Sequence, residues 1–361
     1  MVKLARVLAC LVLCFLIAGC SDGFGNDEFN GGDSTIRDYS LLFSPLPEPI
    51  YPEENPFSLA KFRLGELLFW DPILSANLDI ACATCHHPDF GWADGRSFSI
   101  GTGGHGLGPG RFGDISGSIN APTVANVAFT GLTIDLDING FRSGGYFWNL
   151  RANTLEEQAL GPIKNPVEMK GSLFDEDEII GVIIDRLQSN NEYQALFYEA
   201  FGLGNSITIE NLTKALATFQ RGLVGNDSRF DLFLKGEYSA LSEIEVIGLN
   251  QFIDTGCVDC HNGPMLSNNM LDESKVVFPE LGAVRTPTLR NISNTAPYMQ
   301  DGSRSTLSHA IAVYEDRQDL GIRGPEEGFE VISVFLRSLD SVVYSNIPNE
   351  VPSGLPVGGD I

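Results

Sequence analysis

The chain is poor in residues that bind metals or cross-link loops. Its 361 residues include five histidines, five methionines, three tryptophans and seven cysteines. Cys10, Cys14 and Cys20 fall within the first twenty residues, which leaves Cys82, Cys85, Cys257 and Cys260 for the rest. Four cysteines in an exported chain would suggest disulfides, but these form two close pairs, each followed at once by a histidine. Positive charge is scarce as well: 23 Lys and Arg face 47 Asp and Glu, a net charge of −24. That balance argues against nucleic acid as a partner and suits either a basic partner or simple solubility. No run of alternating strands leads into a GxGxxG, which argues against a nucleotide-binding α/β domain.

What is present begins with a leader. Lys3 and Arg6 precede an apolar run from Val7 to Ile17, the layout of a secretory signal, and the run is short for a membrane span of about 20 residues. It ends in Ile17-Ala18-Gly19-Cys20, small residues before a cysteine as in a bacterial lipobox. Cleavage before Cys20 and lipidation of its thiol are expected, giving an exported protein anchored on the periplasmic side of a bacterial membrane or on the cell surface. Gly, Asp, Asn and Ser then dominate to about Ser40, as in a flexible tether.

The body is 43% hydrophobic over the whole chain, free of low-complexity tracts, and long enough for two domains. Pro56 and apolar residues at three- and four-residue spacing predict a helix over 58–70. Further helices are predicted at 153–160, 175–188, 208–222, 242–254, 305–317 and 325–339. Two open with capping patterns, Asn153 with Glu156 and Ser242 with Glu245. Between Gly95 and Gly145 helical periodicity is missing, which predicts long ordered loops of the kind that wrap something.

The strongest signal is Cys82-Ala83-Thr84-Cys85-His86, repeated as Cys257-Val258-Asp259-Cys260-His261. In such a unit two thiols form thioether bonds to a haem edge, and the histidine binds iron from beneath the ring. One CxxCH can arise by chance or as half a zinc site. Two, using every cysteine of the exported body, point to two haem c groups; a tetrahedral zinc shared between such distant motifs is the weaker alternative.

Other stretches carry a resemblance. Phe147-Trp148, the run Leu155 to Pro162 (LEEQALGP) and Asn165-Pro166-Val167-Glu168-Met169 are similar to the peroxidatic region of the bacterial di-haem cytochrome c peroxidase and MauG family. So are Asn120-Ala121-Pro122-Thr123, Phe219-Gln220-Arg221 to Leu241-Ser242, Pro287-Thr288-Leu289-Arg290-Asn291, Ala296-Pro297-Tyr298 and Asp301-Gly302. The likeness runs from about residue 45 to 340.

The resemblance implies an all-α fold of two cytochrome c-like domains. The layout expected is a signal peptide 1–19, a tether 20–44, a peroxidatic haem domain 45–225, an electron-transfer haem domain 226–345 and a tail 346–361, with the final helix packed back on the first domain. It implies that Glu168 is the acid-base carboxylate at the open face of the first haem, that Gln158 holds peroxide or water there, and that Pro162 lines the pocket. Trp148 resembles the family's aromatic relay between haems. Where the peroxidases carry a methionine ligand, this chain has Tyr314, as MauG-type enzymes do; an anionic oxygen there would stabilise oxidised iron. Leu307, Ala310, Ile311 and Tyr314 share one helical face, so a core role stays open, as do Met265, Met270 and His309 as ligands. His105 resembles the loop histidine that caps the resting peroxidatic haem, yet Ser99-Ile100-Gly101 aligns with that loop equally well. Gln300 stands where the family usually has histidine, and His87 is expected as a surface neighbour. A calcium ion is implied at Asn120, with the Arg285 and Pro287 carbonyls opposite.

The function implied is that of an oxidoreductase using hydrogen peroxide to form a high-valent di-haem state and oxidise a partner protein, as in the MauG and MbnH-type branch. The alternatives are a cytochrome c peroxidase fed by a small redox protein and a non-catalytic electron-transfer lipoprotein. Against the first stands Thr255, where MauG carries a tryptophan before its second CxxCH.

Overall fold

Ser58 ends an extended stretch and opens α1 (Leu59–Trp70), its hydroxyl accepting the Lys61 N–H at 3.2 Å. The computed structural model describes residues 37–135, 140–142, 145–271, 282–315, 318–324 and 328–361. The leader, Cys20 and the tether up to residue 36 lie outside the described residues. Tyr39–Ile361 forms one compact unit. Its helices continue with α2 (Cys82–Cys85), α3 (Leu155–Lys164), α4 (Glu176–Gln188), α5 (Asn191–Phe201) and α6 (Ile209–Arg221). Then follow α7 (Arg229–Leu234), α8 (Glu243–Asp254), α9 (Leu307–Ala312) and α10 (Glu330–Leu336). The architecture is helical, as expected. The one sheet among the described residues pairs Thr133–Asp135 antiparallel with Gly140–Arg142, in register Ile134↔Phe141, inside the stretch predicted as loop.

Two apolar cores organise the unit, each built on a helix crossing at a glycine. In the first, α1 crosses α6 so closely that a Cβ on Gly65 would lie 2.0 Å from the Ala215 carbonyl oxygen. Leu64, Leu68, Ile183, Phe197, Leu216 and Phe219 pack around it with no more than 1% of their surface exposed. In the second, α8 crosses α10 at Gly248, where a Cβ would lie 2.2 Å from the Val331 oxygen. Phe230, Leu249, Phe252, Ile332 and Phe335 fill that core, each side chain worth about 1.5–3 kcal/mol of transfer free energy.

Several local expectations shift by a residue or an element. Helix α3 is capped by Thr154, which accepts the Glu157 N–H at 3.1 Å, not by Asn153 with Glu156. Glu156 is drawn inward instead, to a two-pronged pair with buried Arg221 at 2.6 and 2.8 Å. Ser242 and Glu245 do form the expected box, the Ser242 N–H donating to the Glu245 carboxylate at 2.9 Å. Helices α5 and α7 were not anticipated. Their signals were the caps Asn190, which accepts two N–H groups at 3.0 Å, and Ser228, which accepts the Asp231 N–H at 3.0 Å.

The two ends of the described chain are exchanged between the cores. Phe43, within the stretch read as tether, is 1% exposed and packs on Phe230 and Phe252 of the second core. In return, the extended segment after residue 340 runs along the first core. Tyr344 donates to Glu66 at 2.7 Å, Ser353 to Asp71 at 2.7 Å, and Gly359 bridges Ile80. That segment, and not the final helix, makes the return to the first core; α10 stays against α8.

Candidate functional site

The first CxxCH occupies a single helical turn. The His86 N–H closes it on the Cys82 carbonyl at 2.9 Å, and Thr84, inside the motif, accepts the Ala81 N–H and donates to the Gly358 carbonyl at 2.6 Å. Burial pushes both thiols up to about 12, so they are held as neutral thiols, the form that precedes thioether formation. The His86 Nδ1 lies 3.2 Å from the Trp92 carbonyl, which orients the ring. Burial lowers its pKa to about 4 against the pull of the Trp92 and Pro122 carbonyls, leaving the neutral imidazole a metal needs.

Glu168 is brought to this motif by a turn that Pro162 begins. The Pro162 carbonyl, whose helical donor four residues on would be Pro166 and has no N–H, accepts the Asn165 and Met169 N–H groups at 3.2 and 3.3 Å. The Glu168 carbonyl is gripped by the Thr102 N–H at 2.8 Å, and the Gly101 backbone presses on Val167 so closely that a Cβ would lie 1.9 Å from its oxygen. The half-buried carboxylate accepts from the Asn165 amide. Burial raises its pKa, while that bond and Arg151 pull it down; its field reaches both Cys82 and Cys85. Gln158, half-buried on α3 one turn before Pro162, shares the Pro162 face of the helix.

The second motif follows Gly256, whose φ of 91° lets the chain turn sharply into Cys257. Its imidazole is held by the Leu266 carbonyl, 2.9 Å from His261 Nδ1, and burial again takes the pKa to about 4. A cavity of about 270 Å³ opens here, lined by Cys257, Cys260, His261, Trp148 and Tyr314 among mostly apolar neighbours. Leu307, Ala310 and Ile311 turn the same face of α9 into it. Of the other ligand candidates, Met265 is buried in a separate cluster with Phe129 and Leu132, while Met270 and His309 are exposed; none lines the cavity. Met299 does line it, and the sequence reading missed this residue. Thr255 is buried behind the motif, 3.4 Å from the Cys257 sulfur.

The segment Asn120–Pro122 is a wall common to both motifs, since it lines the second cavity while the Pro122 carbonyl acts on the His86 ring, raising its pKa. Trp148 is fixed to this wall by its indole N–H, 2.9 Å from the Asn120 carbonyl. The Asn120 side-chain amide donates to the carbonyls of Arg96, at 2.7 Å, and Pro297, at 3.4 Å. The chain folds the 95–98 loop and the Pro297 turn onto Asn120, a pairing that linear spacing could not reveal. His105 is exposed, its Nδ1 3.3 Å from the Asp360 carboxylate. His87, expected at the surface, is 3% exposed; it caps the turn Pro88–Phe90 beneath Trp70. Gln300 lines the second cavity, and its carbonyl receives the Asn120 N–H at 2.8 Å.

The donor chemistry of both motifs fits haem c: paired, partly exposed thiols, a neutral oriented imidazole, and an apolar cavity at the second. Residues 59–239 match the family model for di-haem cytochrome c peroxidase. The chain is 33% identical over 318 residues to the cytochrome c peroxidase Ccp of Escherichia coli, covering 82% of this chain and 62% of that protein. It is 34% identical over 287 residues to the methylamine utilization protein MauG of Methylophilus methylotrophus, covering 75% and 76%. Among solved structures it is similar to a MauG-like protein associated with microbial copper homeostasis, with a TM-score of 0.66, 26% identity, and 86% and 96% of the two chains covered. This chain belongs to the di-haem cytochrome c peroxidase family, a family of oxidoreductases whose two haem c groups answer to its two CxxCH motifs.

Proposed function

We propose that this chain is a MauG-like oxidoreductase that consumes hydrogen peroxide and oxidises a partner protein. When bound, the two haem groups supply the irons that accept peroxide and hold its oxidising equivalents. The residues supply the rest. Glu168 takes a proton from one peroxide oxygen and returns it to the leaving one, a task its raised pKa suits. Gln158 offers an amide to peroxide or water, Pro162 shapes the wall, and Trp148 gives an aromatic step between the two motifs. Tyr314 offers a phenolic oxygen as ligand to the second iron. The observation that carries the reading is that Tyr314 lines the cavity of the second motif. An oxygen ligand stabilises oxidised iron, which favours holding oxidising equivalents until a partner docks.

A second reading, a peroxidase fed by a small redox protein, gains from Met299 in the same cavity, because a thioether ligand favours reduced iron. Relatives named as peroxidases and as MauG match at 33% and 34% identity, so likeness alone does not choose between them. Glu168 beside the first motif speaks against a purely electron-carrying protein. One equivalent of peroxide, added to the fully oxidised protein without reductant, separates the readings. A long-lived spectral change, consumed on adding a protein encoded beside it, supports the first. Rapid decay, with high turnover on reduced cytochrome c, replaces it with the second.

Export and a lipid at Cys20 belong to the same reading, supported by the leader's layout; no helix among the described residues is long and apolar enough to cross a membrane. Cys20→Ala should move the protein from the membrane fraction to the soluble one. Calcium would draw on the Asn120 amide oxygen with the Arg285 and Pro287 carbonyls, oxygen donors of the kind it takes on residues that line one cavity.

A further inference from the structure

Among the described residues the buried arginines are compensated, and the partly buried Arg285 is the exception. Arg221 holds Glu156, Arg290 holds Asp231 with two bonds of 2.9 Å, and Arg111 spends its guanidinium on the carbonyls of Ile100, Gly101, Gly106 and Asp360. Arg285 has no such partner. Its Nη1 donates to the neutral Asn269 amide oxygen at 2.9 Å, and its Nε is buried with no hydrogen-bond partner. The titratable group beside it is Tyr146, whose own pKa is pushed up to about 12, so it is no anion. No carboxylate pairs with Arg285 among the described residues, yet the residue is one of those lining the cavity that contains Cys257, Cys260 and His261. A buried, unpaired guanidinium is costly unless an anion meets it. Burial pulls its pKa down to about 10, as expected for a cation left without one.

We propose that Arg285 neutralises a propionate carboxylate of the second haem. A haem brings two such carboxylates into an otherwise apolar cavity, and a planar guanidinium with free N–H groups suits one of them. The inference rests on reading Cys257 to His261 as a haem c site. The same residue also holds the cavity wall: through its backbone, and not its guanidinium, the Arg285 N–H bonds the Trp148 carbonyl at 2.8 Å. A fixed positive charge at the haem edge favours the reduced iron and holds the propionate ionised.

The test uses the holoprotein. Its mass is taken first: fewer than two haems would sink the haem reading itself, independently of Arg285. With two haems present, Arg285→Gln should lower the midpoint potential of the second haem and leave the first unmoved. The unpaired propionate should also make that potential pH-dependent near neutrality. Arg285→Lys, which keeps the charge without the fork, should recover most of the shift. A second-haem potential and pH profile unchanged in Arg285→Gln would overturn the proposal. A crystal structure of the wild-type holoprotein decides the matter if the variant does not fold. A second-haem propionate on the Arg285 guanidinium supports the pair, and both propionates directed elsewhere refute it.

Discussion

The two CxxCH motifs are alike where haem is attached and unlike where chemistry would happen. Each presents two thiols and a histidine whose Nδ1 is held by a backbone carbonyl, Trp92 in one and Leu266 in the other. The first faces a carboxylate, Glu168, delivered by a proline-initiated turn and clamped through its backbone by Thr102. The second faces an apolar cavity with a phenol, Tyr314, and a thioether, Met299. The attachment signal therefore says nothing about the role of either site. Role is set by residues about 70–80 positions from the first motif and about 40–50 from the second, which is a statement about tertiary structure.

The comparison breaks most completely if either motif fails to carry haem. Mass spectrometry of the protein from a host competent in haem attachment should show two covalent haems. Cys257→Ala with Cys260→Ala should remove one and leave the first. Next in size is Glu168→Gln, which should keep both haems and lose on the order of 10² to 10⁴ in the rate of reaction with peroxide. The equivalent change at the second site, Tyr314→Phe, should leave that fast reaction largely intact. It should alter the low-spin haem spectrum, whereas the wild type should lack the long-wavelength methionine-to-iron band. If that band is present and survives Tyr314→Phe, Met299 is the ligand and Tyr314 is a core residue.

Smaller effects sharpen the contrast. Gly65→Ala and Gly248→Ala each force a methyl against a helix backbone and should cost at least about 1–3 kcal/mol, read as a lower urea midpoint. The loss should report first at the haem of the core that was changed. The smallest is a pH effect. Glu168 acts as a base only when ionised, and its pKa stands above the usual 4.5, so the peroxide reaction should fall off on acidification at a pH above that value. Asn165→Ala removes a bond that favours the ionised form and should move the fall to still higher pH.

Much of the attachment chemistry was legible because it is contiguous: a unit of five residues in a row, present twice and using every cysteine of the body, points to haem c attachment. Helices with strong periodicity were legible for a similar reason, as α1 and α6 show. Features that depend on distant parts of the chain were not. The partners of Asn120 come from residues 96 and 297, and the burial of His87 comes from Trp70. Met299 sits in an irregular turn with φ of 73°, so no helical face advertised it. Phe43 was hidden by composition: the Gly- and Asp-rich stretch before it drew the whole segment into the tether, although Leu41-Leu42-Phe43 is an apolar run.

The exchange of the ends also bears on the order of events during synthesis. Thr84, in the middle of the first haem motif, bonds the carbonyl of Gly358, which lies 274 residues further on. Contacts of that separation form late, because the intervening chain must be made and gathered first. The first core therefore stays open at its haem motif through translation of almost everything that follows. An enzyme that attaches haem to Cys82 and Cys85 meets accessible thiols during that interval. Once Gly358 has docked on the first core, Thr84 at the centre of the motif is buried and fixed between the two thiols.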